Sequence, residues 1–181
     1  METIARNRKL IRVVLTGSES TGKSVLAREL ADYYGAELAP EFVREFALSI
    51  GRDIRLEDTD DIARGQIALE DEHSNRADRL LIQDTDLLST VVYSGHYYNY
   101  CAPWIMNAAR ERRPDLYLLL EIDVPWIPDG VRDREKNREE VQQMFRDAVA
   151  ASGSPHVSIS GPWEQRTALA RNAIDDAIAL R

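Results

Sequence analysis

Cysteine is almost missing from this chain. Cys101 is the only one, so no intrachain disulfide and no cysteine-built metal site can form. Such sparing use suits a reducing cytoplasm. Long apolar runs are also absent. No stretch approaches the roughly 20 apolar residues that span a bilayer, and the charged start from Met1 to Lys9 is not followed by the apolar segment of a signal peptide. Positive charge is in deficit, with 23 Lys and Arg against 31 Asp and Glu, for a net charge of −8. A non-specific binder of nucleic-acid backbones needs a cationic face, so nucleic acid is not an expected partner. His73, His96 and His156 are scattered without ligand spacing, which excludes a zinc site of the usual pattern. What remains is a cytoplasmic globular protein with no membrane association. Its 181 residues are read as one domain, 1–181, with a full hydrophobic core.

Short apolar runs alternate with helical periodicity. Leu10 to Thr16 reads as a buried strand, and Val25, Leu26, Leu30 and Tyr33 or Tyr34 recur at helical spacing up to Gly35. Ala36 to Pro40 is a short second strand, and Glu41 to Ile50 a helix closed by Gly51. A long, mostly exposed helix is expected over 57–79, carrying Ile62, Ile67 and Leu69. Arg79 to Asp84 is the third strand, leading through Thr85 and Asp86 into another helix. A Tyr-rich stretch with Tyr93, Tyr97, Tyr98 and Tyr100 reads as loop packing or as the flank of an aromatic substrate. A helix near 104–112 follows. Leu116 to Ile122, the longest apolar run, reads as a central strand. Pro125 to Lys136 is a polar loop with Trp126 as a packing anchor, and a charged helix runs on to about Ala151. His156 to Ser160 is the last strand, and Pro162 opens the terminal helix as its first residue. This alternation implies a parallel sheet with helices on both faces.

One segment carries strong chemistry. Gly17-Ser18-Glu19-Ser20-Thr21-Gly22-Lys23-Ser24, with Val25 after it, lies between the first strand and the first helix. Such a loop can aim successive backbone N–H groups at phosphate oxygens, and the helix adds the positive end of its dipole. Lys23 is placed for the β- and γ-phosphates of ATP, and the Ser24 hydroxyl for Mg²⁺. By chance alone the pattern arises in roughly one chain of this length per hundred. The strand before it and the helix after it make coincidence rarer still.

Carboxylates occupy the other strand ends, where ligands bind in open α/β sheets. Glu41 follows the second strand, with Arg44 and Glu45 on its helical face. A kinase needs such a carboxylate to orient the acceptor hydroxyl and take its proton, and cations for the developing charge. An ordinary acidic helix start fits Glu41 as well. Asp84 ends the third strand, as expected for a carboxylate that holds Mg²⁺. Asp86 shares that task or caps the next helix. Arg132, Arg134, Lys136 and Arg138 alternate with acids, which is either a solvated helix face or a lid that brings arginine, Arg132 foremost, to the transferring phosphoryl group. Gly161-Pro162-Trp163 is placed to flank an adenine.

In order along the chain, the phosphate loop, Pro40-Glu41-Phe42-Val43-Arg44-Glu45-Phe46, Ala63-Arg64-Gly65-Gln66, Asp84-Thr85-Asp86 and Asp123-Val124-Pro125-Trp126-Ile127-Pro128-Asp129-Gly130-Val131-Arg132 resemble the ribosylnicotinamide kinase domain of NadR-type NAD-biosynthesis regulators. The resemblance spans about Ile11 to Ile178. It implies a P-loop three-layer α/β/α fold like that of nucleoside and nucleotide kinases, with a five-stranded parallel sheet of order 2-3-1-4-5 and a short lid over 125–136. It implies phosphorylation of the 5′-hydroxyl of nicotinamide riboside with ATP and Mg²⁺. It assigns Lys23 and Ser24 to phosphates and metal, Glu41, Arg44 and Gln66 to the acceptor, Asp84 to metal and acceptor, and Arg132 to the lid. The family's DNA-binding and nucleotidyltransferase domains are not expected in this chain. Pro40 stands where the family has tryptophan, so an aromatic platform for the nicotinamide ring is lost there or supplied from elsewhere. A kinase for another nucleoside or nucleotide, or a P-loop ATPase switch working through a protein partner, are the alternatives.

Overall fold

The computed structural model describes residues 9–125 and 137–180. Five strands form one parallel sheet in the order β2-β3-β1-β4-β5. They are β1 (Ile11–Thr16), β2 (Glu37–Ala39), β3 (Leu80–Asp84), β4 (Leu116–Leu120) and β5 (His156–Ile159). The helices are α1 (Lys23–Tyr34), α2 (Phe42–Ile50), α3 (Thr59–Arg76), α4 (Leu87–Tyr98), α5 (Pro103–Glu111), α6 (Arg138–Ser152) and α7 (Trp163–Ala179). None of the described helices is long and apolar enough to cross a membrane.

Strand alternation makes the three layers. Val13 and Leu15 face Leu26 and Leu30 of α1 and Ile174 of α7, while Val14 faces Val92 of α4 and Val141, Phe145 and Val149 of α6. β1 is central, because its residues are apolar on both sides and it pairs with both β3 and β4. The long run at 116–122 is interior rather than central, and its ladder stops at Leu120. The register sets Leu15 opposite Asp84 and Thr16 opposite Leu119. The phosphate loop thus leaves the sheet beside the end of β3.

Three local expectations change. The Tyr-rich stretch is helical as far as Tyr98, because it forms the body of α4. α3 is shorter than expected and buries Thr59, Ile62, Ala63, Gln66 and Glu70 as one stripe. Pro162 is the N-cap of α7 rather than its first residue, and its carbonyl accepts from Arg166 N at 3.0 Å.

Gly65 fixes how α2 meets α3. A Cβ there would lie 2.1 Å from the Phe42 ring, so only glycine lets that ring settle on α3. Gly65→Ala should displace Phe42 and destabilise the chain by about 1–3 kcal/mol, read as a lower urea midpoint with an unchanged slope. An unaltered midpoint would show that the ring is free to move aside.

Candidate active site

β1 delivers the loop that precedes α1. Gly17 has φ 122, and a Cβ on it would meet the Leu120 carbonyl at 2.6 Å. Close approach to β4 therefore requires glycine. Lys23 is buried, and its Nζ donates to the Ser18 carbonyl at 2.6 Å. Thr21 Oγ1 donates to the same carbonyl at 3.0 Å. Ser20 is left-handed at φ 54 without being glycine, a conformation that costs about 1–2 kcal/mol and persists only where its surroundings enforce it.

Asp84 stands beside this loop. Burial raises its pKa above the usual carboxylate range, against the Ser24 hydrogen bond that favours the charged form. The Glu41 carboxylate adds to the rise, while Lys23 and Arg44 oppose it. Five residues from three strand ends thus share one electrostatic neighbourhood. Glu41 is buried at the N-cap of α2, with Arg44 Nη2 3.5 Å from its Oε2. Arg44 is half exposed and Glu45 is exposed. Thr85, also left-handed at φ 71, turns the chain sharply out of β3.

Past that turn, Asp86 caps α4 by accepting from Leu88 N at 3.1 Å, and its other oxygen accepts from Tyr117 Oη at 2.6 Å. Burial first, and Glu70 second, push its pKa up to about 7. Asp86 lines a cleft of about 730 Å³ between α2, α3 and α4, together with Glu41, Gln66, Asp53, Tyr93 and Tyr97. Gln66 is less available than expected. Its Oε1 accepts from Phe42 N and its Nε2 donates to Glu70, both at 3.2 Å.

Residues 12–166 match the family model AAA_28, an AAA domain. The chain belongs to that AAA-domain family. Over 153 residues it is 32% identical to the trifunctional NAD biosynthesis/regulator protein NadR of Escherichia coli K12, covering 81% of this chain and 37% of that one. Against NadR of Salmonella typhimurium LT2 it is 33% identical over 124 residues, 66% of this chain and 30% of the other. The chain therefore spans less than two fifths of these curated relatives. A crystal structure of NadR in complex with NR superposes with a TM-score of 0.82 at 23% identity, over 95% of this chain and 50% of that one. Thymidylate kinase from Ehrlichia chaffeensis gives 0.63 at 16% identity, over 92% and 97%. These likenesses bear out the P-loop fold, and the sheet itself has the expected strand order.

Within this AAA-domain frame, the structure brings Lys23, Ser24, Glu41, Arg44 and Asp84 together and puts Gln66 beneath the cleft. The Trp163 ring lies against Gly22, and its Nε1 donates to Glu29, which sets the expected adenine flank next to the loop. Trp126, Arg132, Arg134 and Lys136 lie outside the described residues. Arg138, the described residue of that basic run, donates to the Ser20 carbonyl at 3.1 Å. Gln142 and Arg166, both fully buried, also grip the loop and were not anticipated. Their signal was a polar residue on an otherwise apolar helix stripe.

Asp86 gives a test of this electrostatics. Its folded-state pKa near 7 lies above the unfolded value, so its contribution to stability is full below about pH 4 and is lost as pH rises through about 7. Asp86→Asn cannot ionise. Relative to the parent, it should gain unfolding free energy between about pH 5 and about pH 8 in urea titrations. A difference independent of pH would remove Asp86 as the titrating group.

Proposed function

We propose that the chain is a single-domain ATP-dependent kinase whose acceptor is the 5′-hydroxyl of nicotinamide riboside, giving nicotinamide mononucleotide and ADP. The carrying observation is the Asp84 carboxyl, hydrogen-bonded to Ser24 and within the electrostatic reach of Lys23 on one side and Glu41 on the other. The phosphate side and the acceptor side meet at that group. The NadR relatives support the named substrate.

In this reading residues 17–25 cradle the ATP phosphates through backbone N–H groups. Lys23 leaves the Ser18 carbonyl for the β- and γ-phosphates. The adjacent Ser24 hydroxyl and Asp84 carboxylate are hard oxygen donors that would hold Mg²⁺. Bound there, it would supply charge neutralisation at the phosphates. Glu41 orients the acceptor hydroxyl and takes its proton as the new phosphorus–oxygen bond forms and ADP departs. Arg44, freed from its ion pair as Glu41 takes the proton, and Arg132 balance the developing charge.

The cleft favours a cationic nucleoside over a nucleotide. Its carboxyl groups Glu41, Asp53 and Asp86 and its rings Tyr93, Tyr97 and Tyr98 suit a pyridinium, which carboxylates and aromatic faces both attract. Among the described residues, the guanidiniums at the cleft are already matched. Arg44 faces Glu41 at 3.5 Å, and Arg52 grips Asp58 through two bonds of 2.7 and 2.8 Å. An acceptor monophosphate would need a cation in that place. The net charge of −8 supports a cytoplasmic enzyme without nucleic-acid partners.

ADP release from ATP and Mg²⁺ should depend on nicotinamide riboside, with mass spectrometry finding one added phosphoryl group. Lys23→Ala should lose roughly 10²–10³-fold in kcat, and Glu41→Gln a similar factor with ATP affinity kept within a few-fold. No acceptor-dependent turnover would overturn the kinase assignment. Turnover of other nucleosides alone would overturn only the substrate.

A further inference from the structure

A phosphate loop binds through backbone N–H groups, and a trans peptide points each N–H opposite the carbonyl of the preceding residue. Whatever holds a loop carbonyl therefore aims the next N–H. The Ser18 carbonyl is held from within the motif, by Thr21 and Lys23. The Ser20 and Thr21 carbonyls are gripped from outside it. Arg138 Nη2 donates to Ser20 at 3.1 Å, and Arg166 Nη1 to Thr21 at 3.2 Å.

Arg138 does more than touch the loop. Its Nη1 donates to the Val124 carbonyl at 2.9 Å, just beyond β4. One turn along α6, Gln142 accepts from Ser18 N at 2.9 Å and donates to the Leu120 carbonyl at 3.1 Å. A single helix face thus holds Ser18 and Ser20 relative to the end of β4. Within the loop, Ser20 is the residue in most need of a hold, since it is left-handed without being glycine.

We propose that Arg138 is a positioning residue for nucleotide binding. By fixing the Ser20 carbonyl against the end of β4, it keeps Ser20 left-handed and the Thr21 N–H turned into the cradle. It acts through the backbone and not on the phosphate. The inference rests on the reading of residues 17–25 as an ATP cradle and is independent of the acceptor.

The test is calorimetric affinity of the full chain for a non-hydrolysable ATP analogue with Mg²⁺. Arg138→Met, which keeps the length and loses both bonds, should weaken binding about tenfold or more. Adding Ser20→Gly, which makes the left-handed conformation free of strain, should recover about threefold or more in that background and bring no gain in the parent. Binding by Arg138→Met within about twofold of the parent overturns the proposal, as does a Ser20→Gly effect equal in both backgrounds. Should Arg138→Met not fold by circular dichroism, Arg138→Lys, whose single ammonium cannot span both carbonyls in the same fork, goes through the same cycle. A parent chain that binds no analogue overturns the cradle reading itself.

Discussion

Arg166 has no exposed surface, and a buried guanidinium left unanswered costs several kcal/mol, so acceptors must converge on it from whatever segments pass nearby. Four do. Its Nε donates to the Gly161 carbonyl at 2.9 Å, its Nη1 to Thr21 and its Nη2 to the Glu121 carbonyl at 2.9 Å and to the Asp123 carboxylate. The planar fork has fixed donor directions, so these partners are fixed in angle as well as distance. They come from the phosphate loop, the end of β4, the segment beyond it and the turn after β5. Asp123 accepts from Gly161 N in addition, which ties two of those segments to each other. The open end of the sheet is thus held by polar bonds from α7, as it is from α6, while the apolar core lies lower between the layers.

A second buried polar group lies on the opposite face, beneath the cleft that Glu41, Gln66 and Asp86 line. Glu70 is 1% exposed and receives Arg12 at 3.2 Å, Arg112 at 3.1 Å and Gln66 at 3.2 Å. Arg12 reaches it from the central strand, bonding Gln83 of β3 on the way. Burial still raises the Glu70 pKa, with the two arginines pulling against it. Asp86 repels Glu70, yet its donors among the described residues, Tyr117 and Leu88, are neutral. Two carboxyl groups in one layer are therefore answered differently, one by cations and one by dipoles. The floor of the cleft carries a group that changes charge near neutrality, whereas Glu70 braces α3 to the sheet.

The parts legible in the sequence were those with a local signal. Strand runs, helix stops at Gly35 and Gly51 and the glycine loop each carry their physics within a few residues, so element order and the cradle could be read directly. Asp84 and Glu41 were legible because a parallel sheet puts all its strand ends on one side. Arg138, Gln142, Glu70 and Arg166 were not, because a charged or amide residue in a helix reads by default as solvated. Yet Arg138 and Gln142 share the buried stripe of Val141, Phe145 and Val149, and Arg166 that of Ala170 and Ile174. Polar residues on an apolar stripe, in helices that flank strand ends, are the trace that braces leave in a sequence. What a sequence alone withholds is which backbone group each one reaches, since the bonds to the phosphate loop span 118 to 145 residues.

The same logic bears on the aromatic platform that Pro40 does not provide. Pro40 is exposed, and the next ring, Phe42, is turned away into the space that Gly65 leaves on α3. Rings reach the cleft from α4 instead. Tyr93 and Tyr97 stand one turn apart with centroids 5.9 Å apart and planes inclined by 12°, and Tyr98 Oη is held by the Ile54 carbonyl at 2.9 Å. A ring beside Glu41 would move with α2. Rings on α4 take their position from the Asp86 cap and from the left-handed Thr85 that turns β3 into that helix. Thr85 N is held in turn by the Leu15 carbonyl at 3.0 Å, on the strand that also carries the phosphate loop. The aromatic wall of the cleft and the cradle are therefore referred to the same strand. In the proposed kinase, a base held by α4 and a phosphate held by residues 17–25 would share that reference, without either side being built around the other.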